Sequence, residues 1–399
     1  MTSLLFDLSA TQHPKGSRHG GAEYAKAVLR AILHMGAHQD IGGFVRDDWP
    51  EDPEVSLLTD QAGIKILRGS SFEDAGAIAR ELGYEHFFSG VPYHFHSTDF
   101  GTTDITLALH GLRSIELPSD IYEYLYRPTF SGILKWIGKS LLTEHYKRVR
   151  LAELHKLLNV KAGRINIISS SYHSSSVLYD ILGRNSSVSR VTCYCPPSAV
   201  QTLETPSDAD KRVIELGLDP RKYILLVSGA RWEKNSYRAL RDLTSLFSEH
   251  PSIFAGFKIA VSGGLPTLLP QVDASNIVGL PYVSVSDLAG LYASSYCFVY
   301  PTLNEGFGYP PLEAMAHGAP VICSSSTSTT EVCGKGASYF DPRRGSELRA
   351  RVLELALNPD RRLLWQEAGR AHERAFRPLQ ERDLLQVAHL LLAAKEVAL

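Results

Sequence analysis

Between Cys297 and Gly318 the chain reads CFVYPTLNEGFGYPPLEAMAHG, and this stretch admits very few architectures. Cys297 to Tyr300 is a short apolar run, the signature of a buried strand. Pro301 ends it. Four further residues, Thr302, Leu303, Asn304 and Glu305, lead into a Gly306-Phe307-Gly308 turn. Pro310 and Pro311 suit a helix's first turn, where a missing N–H costs nothing. Leu312, Met315 and Ala316 then recur at helical spacing, and Gly318 closes the helix. A strand, a glycine-bearing loop and a helix in this order aim backbone N–H groups and the positive helix end at the loop, a seat for an anion. Two carboxylates flank that seat: Glu305 in the loop and Glu313 eight positions later. Phosphate would repel a carboxylate that touched it, so these two are better employed accepting hydrogen bonds from sugar hydroxyls. Together they describe a pocket for a nucleotide sugar. The same residues also read as a solvated loop glutamate and a helix glutamate stabilised by the dipole, and spacing does not choose between the two.

The string from Glu305 to Val321, EGFGYPPLEAMAHGAPV, resembles the E-x7-E signature of family 4 retaining glycosyltransferases. The likeness continues through Glu331-Val332 and Phe340-Asp341-Pro342. It is dense in the C-terminal half and loose in the N-terminal half. It implies an α/β chain of the GT-B fold, with two Rossmann-like doubly wound domains facing across a cleft. It places the first domain at 1–196 and a nucleotide-sugar domain at 197–379, with the last helix, from about 380 to 399, packing back on the first.

Composition bounds the partners. A chain of 399 residues is long enough for two cores. Lys plus Arg number 41 against 43 for Asp plus Glu, a balance that argues against nucleic acid. Five scattered cysteines do not make a disulfide framework and point to a reducing compartment. Cys193 and Cys195 alternate along an apolar run, as on one strand face, and nothing nearby completes a metal site. The N-terminal residues carry neither a basic start nor a long apolar core, so no signal peptide is expected. No apolar run is long enough to span a bilayer. The expected location is cytoplasmic, or at the cytoplasmic face of the inner membrane, and the sequon at Asn185 is expected to be idle.

In chain order, Leu4 to Leu8 is a strand candidate. A loop with His13, Lys15, Arg18 and His19 follows, ending in Gly20-Gly21, and a helical pattern starts at Ala22. Ligands bind at the carboxyl ends of strands in such folds. The resemblance places Gly20 and Gly21 over the donor phosphates or the acceptor. Aromatic and histidine residues crowd 93–96; they suit sugar rings or plain packing. Ile105 to Leu109 is a strand that delivers His110-Gly111. The family commonly has a His-Asp pair there that contacts the donor sugar; Gly111 replaces the Asp, so only His110 carries over. Asp120 to Leu158 reads as one or two helices in which apolar and basic residues alternate. Ordinary packing with snorkelling lysines is the default reading. An anionic membrane surface is the other, and is expected if the acceptor is lipid-linked. Val191 to Cys195 is expected to be the last strand of the first domain, with Pro196-Pro197 and the polar run Thr205 to Asp210 as linker.

Tyr223 to Val227 opens the second domain and ends in Ser228-Gly229-Ala230-Arg231-Trp232-Glu233-Lys234. Two cations in one loop beside a helix N-terminus suit a diphosphate. The resemblance puts Arg231 and Lys234 on the donor diphosphate, with Gly229 in the same loop, and the main chain near Tyr282 against the nucleobase. Glu347 to Leu399 is expected to be helical with a break near Pro378.

The expected function is retaining transfer of a hexose from a nucleotide diphosphate sugar to a hydroxyl of a saccharide or lipid-linked saccharide, in lipopolysaccharide or capsule assembly. Arg231, Lys234 and the N–H groups of Gly306, Phe307 and Gly308 would neutralise the leaving diphosphate. Glu313 would hold the ribose, and Glu305 and His110 the donor sugar. No cofactor or metal is expected beyond the donor itself. A sugar-nucleotide epimerase, a phosphorylase and a non-catalytic nucleotide-sugar-binding module share the fold and remain alternatives.

Overall fold

The computed structural model describes residues 3–12, 20–36, 40–183, 188–198 and 205–393. The basic loop residues His13 to His19 and the sequon at Asn185 lie outside them. The chain divides into two compact units. One comprises Met1–Leu112, Arg148–Pro197 and Pro378–Leu399; the other comprises Arg113–Lys147 and Ser198–Arg377.

The first unit holds a seven-stranded sheet of β1 (Leu4–Asp7), β2 (Ile41–Arg46), β3 (Lys65–Gly69), β4 (His86–Ser89), β5 (Asp104–Leu109), β6 (Ile165–Ser169) and β7 (Val188–Thr192), in the order β3-β2-β1-β4-β5-β6-β7. The second holds β8 (Tyr223–Val227), β9 (Lys258–Ser262), β10 (Ile277–Leu280), β11 (Cys297–Tyr300), β12 (Val321–Ser324) and β13 (Ala337–Phe340), in the order β10-β9-β8-β11-β12-β13. Every pairing is parallel. Parallel strands are covered on both faces, so they read as unbroken apolar runs. β8 (YILLV) and β11 (CFVY) are buried at every position. The strand order reverses beside β1 in the first sheet and beside β8 in the second. The loops after β1 and β4, and those after β8 and β11, therefore diverge and leave a crevice at the strands' carboxyl ends.

Five helices matter below: α1 (Gly20–His34), α2 (Phe130–Leu141), α3 (Ser236–Glu249), α4 (Tyr309–Ala316) and α5 (Pro359–Leu392). Four local expectations are corrected. β7 ends at Thr192, so Cys193 and Cys195 are buried beyond the strand and not on one of its faces. The polar run after Thr205 is no linker but the start of a helix, Pro206–Glu215. Pro206 takes the first position, and the Thr205 hydroxyl accepts from the Asp208 N–H at 3.2 Å. Pro378 breaks nothing: α5 runs through it, and the C-terminal helical region is interrupted instead at Asn358. The helix continues past Pro378 because its far half is gripped by the first unit. Gln380 donates to the Cys195 carbonyl at 2.7 Å, Asp383 accepts from the Tyr194 N–H at 2.8 Å, and Val387, Ala388 and Leu391 are buried.

The fourth correction concerns residues 113–147. Chain position assigns them to the first domain, yet they pack on the second unit. Asp120 takes a two-pronged ion pair from Arg238 at 2.9 and 3.0 Å, with both side chains buried. The Tyr126 hydroxyl accepts from the Tyr237 N–H at 2.9 Å and lies 3.2 Å from the Ser236 hydroxyl. Leu125, Tyr126 and Tyr237 form a small apolar cluster, with Tyr122, Tyr124 and Trp232 against it. The strap then enters α2, capped by Thr129, whose hydroxyl accepts from the Gly132 N–H. Trp136 donates to the Asp120 carbonyl at 2.9 Å, and Lys139 pairs with Glu123. These contacts use the polar and aromatic side of α2. No residue of α2 is buried, and Phe130, Leu134, Ile137 and Leu141 face solvent. Among the described residues nothing buries its apolar face.

Candidate functional site

β8 and β11 are neighbours, and the two loops they launch meet at the crevice of the second sheet. The β8 loop is built on unusual backbone. Ser228 and Asn235 both have φ near +55° to +58°, a region that few residues besides glycine and asparagine tolerate. Asn235 repays the strain. Its amide donates to the carbonyls of Pro301 at 3.0 Å and Pro342 at 2.9 Å, and its oxygen accepts from Arg238 at 2.8 Å. The Ser236 hydroxyl donates to the Gly229 carbonyl at 2.5 Å. Gly229 itself admits no side chain: a Cβ there would lie 2.4 Å from the Gly264 carbonyl oxygen. From β11, the Leu303 N–H donates to the Glu233 carbonyl at 2.8 Å, and the Thr302 hydroxyl reaches the same oxygen at 3.1 Å. The two loops thus hold each other. Asn235→Ala should lose all three side-chain bonds and leave alanine in the left-handed region, costing about 3 kcal/mol in urea unfolding. Asn235→Gly, free of the backbone strain, should cost about 1 kcal/mol less.

Two charge groups sit on these loops. In the first, Lys234 Nζ lies 2.5 Å from Glu305 Oε1 and donates to the Tyr300 hydroxyl at 2.9 Å. Tyr300 and Thr302 donate to the same glutamate oxygen at 2.8 and 2.7 Å. Burial opposes ionisation of Glu305, but the Lys234 ammonium and the three donors outweigh it and hold the carboxyl below its usual range. Burial pushes the Lys234 ammonium down from the ordinary lysine value, with Glu305 pulling against it. In the second group, Glu233, almost fully buried, accepts from Arg231 Nε at 2.7 Å and pairs with Arg113 at 2.5 Å. Burial raises its carboxyl, and Arg113 and Arg231 more than reverse that. Arg113, Arg231 and Lys234 thus gather at these two loops, cations suited to a phosphate-bearing ligand.

The β11 loop continues through Gly306, Phe307 and Gly308 into α4. Gly308, with φ +97°, turns the chain into the helix. Ser328 donates to the carbonyls of Glu305 and Phe307, each at 3.0 Å, and the Thr327 hydroxyl accepts from the Glu305 N–H at 2.9 Å. Phe307 is buried and packs against Tyr309 and Phe376. Glu313, in the middle of α4, accepts from the Ser198 hydroxyl at 2.6 Å and from the Tyr292 hydroxyl at 3.1 Å. Burial raises its carboxyl above the usual glutamate value despite both bonds. Tyr282 lies just beyond β10, largely exposed, next to Gly263.

The second unit therefore brings together Gly229, Arg231, Lys234, Glu305, Gly306, Phe307, Gly308 and Glu313 around the ends of β8 and β11. Gly20, Gly21 and His110 belong to the first unit. Gly20 and Gly21 are the first residues of α1. His110 Nε2 lies 2.9 Å from the Gly90 carbonyl, and its Nδ1 lies 3.9 Å from the Cys195 sulfur. Sequence reasoning missed Arg113, Glu233, Asn235, Ser198 and Ser328. Glu233 and Asn235 flank Lys234 and could have been found as parts of one loop. Arg113 is 120 positions from its partner, a distance no local pattern bridges.

Residues 221–358 match the family model described as glycosyl transferases group 1. They form a group 1 glycosyltransferase domain. It contains every candidate of the second unit named above except Arg113 and Ser198. The O-antigen chain mannosyltransferase B of Escherichia coli is 40% identical over 97 residues, 24% of this chain and 26% of that protein. The O-antigen chain mannosyltransferase RfbU of Salmonella typhimurium is 29% identical over 144 residues, 36% of this chain and 40% of that protein. The chain thus matches well under half the length of these relatives. Among solved structures, sucrose-phosphate synthase from Thermosynechococcus elongatus superposes with a TM-score of 0.67 at 16% identity, covering 97% of this chain and 98% of that one. WaaG, a glycosyltransferase involved in lipopolysaccharide biosynthesis, gives 0.64 at 12% identity over 98% and 100%. Anabaena HepE in complex with UDP-glucose gives 0.64 at 14% over 98% of each chain. The glycosyltransferase domain and the first unit together have the GT-B fold.

Proposed function

We propose that the protein transfers a hexose, with retention of configuration, from a nucleotide diphosphate sugar to a hydroxyl of a saccharide or lipid-linked saccharide. The observation that carries this reading is the Lys234–Glu305 pair at the end of β11, with Arg231 beside it and Glu313 on the next helix. An ammonium has three N–H donors. Lys234 spends two on Glu305 and Tyr300. The third suits a diphosphate oxygen, held without loosening the pair. Arg231, partly exposed and steered by Glu233, supplies a second charge. As the bond to the sugar breaks, negative charge grows on the diphosphate, and preorganised cations lower that barrier most. Glu313 exchanges its present hydroxyl partners for those of the ribose. Glu305 offers its remaining oxygen to a donor-sugar hydroxyl. On this reading His110 keeps the donor-sugar role that the resemblance implies, Gly20 and Gly21 keep theirs toward phosphate or acceptor, and the main chain by Tyr282 meets the nucleobase.

Relatives named as O-antigen mannosyltransferases support a surface-polysaccharide setting and make mannose the first sugar to try; the proposed location is the cytoplasmic face of the membrane. The test is a thermal-shift screen against UDP-, GDP-, ADP- and dTDP-linked sugars, with and without EDTA. A ligand that binds only the native state adds stability by mass action, about 2.7 kcal/mol at a hundred times its dissociation constant, and so raises the melting point. One nucleotide class should stabilise the protein, EDTA should leave both shift and turnover unchanged, and the product should keep the donor's anomeric configuration. No shift with any of them, even with an oligosaccharide acceptor present, would refute the reading. Loss of turnover with EDTA would mean that a metal shares the diphosphate with Arg231 and Lys234.

A further inference from the structure

α2 is an amphipathic helix turned inside out. Its successive side chains are set about 100° apart, so Phe130, Leu134, Ile137 and Leu141 fall on one narrow stripe. In a helix of a globular protein that stripe faces the core. Here the opposite side is held by the body, through Trp136 to the Asp120 carbonyl, through the Tyr124 ring at 4.9 Å, and through Lys139 to Glu123. The stripe points outward: Phe130 is 81% exposed, Leu134 52%, Leu141 78% and Leu142, just past the helix, 60%. Among the described residues no element covers it, and no helix is long and apolar enough to cross a membrane.

Charge and size say what covers it. Residues 127–147 carry four basic side chains, Arg127, Lys135, Lys139 and Lys147, and one acidic one, Glu144, in a chain whose acids outnumber its bases. Lys139 and Lys147 have carboxylate partners, whereas Arg127 and Lys135 are exposed with none among the described residues. A stripe of four side chains on a helix about 18 Å long, with Leu142 just beyond it, is well short of the roughly 800 Å² per partner that a stable dimer buries. It is the right size for an in-plane helix, whose apolar face enters the lipid only to the depth of the acyl boundary while cations meet the headgroups.

We propose that α2 docks the protein on an anionic bilayer, inserting Phe130, Leu134, Ile137, Leu141 and Leu142 with Arg127 and Lys135 against the headgroups. This deepens the reading of a lipid-linked acceptor and rests on it for its purpose. The strap that carries α2 also reaches the candidate site. Asp120 grips Arg238 on the helix that follows the Arg231–Lys234 loop, Tyr126 meets Ser236, and Arg113 meets Glu233. Docking therefore fixes the diphosphate loop relative to the surface that presents the acceptor.

The test is cosedimentation of the full chain with phosphatidylglycerol-containing vesicles and with neutral phosphatidylcholine vesicles. Wild type should pellet with the anionic vesicles. Leu134→Glu combined with Leu141→Glu should lower partitioning by about tenfold or more, since each removes an inserted side chain and adds a repelled charge. Arg127→Glu with Lys135→Glu should lower it several-fold on anionic vesicles only. All four positions are exposed, so the melting temperature and the thermal shift with nucleotide sugar should match wild type in every variant. Equal pelleting of wild type and the Leu134/Leu141 variant would overturn the proposal. So would absence of wild-type pelleting together with a dimer that this variant dissociates, which would make the stripe a contact between copies. A failure here with an intact nucleotide-sugar shift leaves the donor-site reading standing, and the reverse result leaves docking standing.

Discussion

Lys234→Ala is expected to lower kcat/KM by about 10²–10³-fold, the effect of removing one preorganised donor from a developing anion. It should also weaken the fold, because Glu305 would stay buried without its cation. Breaking a buried pair from one side costs about 3–5 kcal/mol. The two losses separate in the double variant Lys234→Met with Glu305→Gln, which buries no charge: unfolding in urea should return toward wild type while turnover stays down. The pH dependence carries a sign. In wild type the Glu305 carboxyl is held below its usual range, so its contribution to stability is present above the unfolded carboxylate value and is lost only as pH falls through the lower folded value. In Lys234→Ala burial is left largely unopposed, the folded value moves above the unfolded one, and the variant should lose stability as pH rises. Turnover in Lys234→Ala within a few-fold of wild type would remove lysine from the diphosphate.

Glu313→Ala is expected to weaken nucleotide binding by about 10- to 150-fold. Hydrogen bonds to a charged acceptor contribute about 1.5–3 kcal/mol. Glu313 is suited to such bonds, since it already takes hydroxyl donors from Ser198 and Tyr292 at 2.6 and 3.1 Å. Its carboxyl is raised by burial, so acid should erode nucleotide affinity in wild type at a higher pH than an ordinary glutamate would. Isothermal titration with the nucleoside diphosphate across pH would show both effects. An unchanged dissociation constant in Glu313→Ala would mean that the ribose lies elsewhere and that Glu313 serves only to hold Ser198 and Tyr292.

What the sequence disclosed follows from which interactions are local. β8 and β11 are central strands of a parallel sheet, covered on both faces, so their apolar runs mark their limits to the residue. β3 (KILRG) lies at the sheet edge with Lys65 and Arg68 exposed, and gives no such run. The turn at Gly308, the prolines of α4 and the pairing of Arg231 with Lys234 in one loop are short-range facts. The ion pair of Lys234 with Glu305 joins residues 71 apart, and that of Arg238 with Asp120 residues 118 apart. Those depend on which strands become neighbours. The strap misled for the same reason: position in the chain assigns 113–147 to the sheet that surrounds it, whereas Asp120, Tyr126 and Trp136 find their partners elsewhere. Pro378 misled differently. A proline removes one hydrogen bond from a helix, and the anchoring of Gln380, Asp383 and Leu391 outweighs that loss.

The strap also sets an order of assembly. On the ribosome, residues 113–147 leave the exit tunnel before any of β8 to β13 has been made. The first sheet can pair β5 with β6 around them, but Asp120, Tyr126 and Trp232's aromatic neighbours must wait for α3. Until then the nascent chain displays the Tyr122–Tyr126 aromatics together with the apolar stripe of α2, a surface that a chaperone or a nearby bilayer would claim first. A split gene joined at residue 197 would face the same constraint. Its C-terminal product would lack Asp120, the carboxylate that pairs with Arg238, and would be rescued by adding the 113–147 peptide.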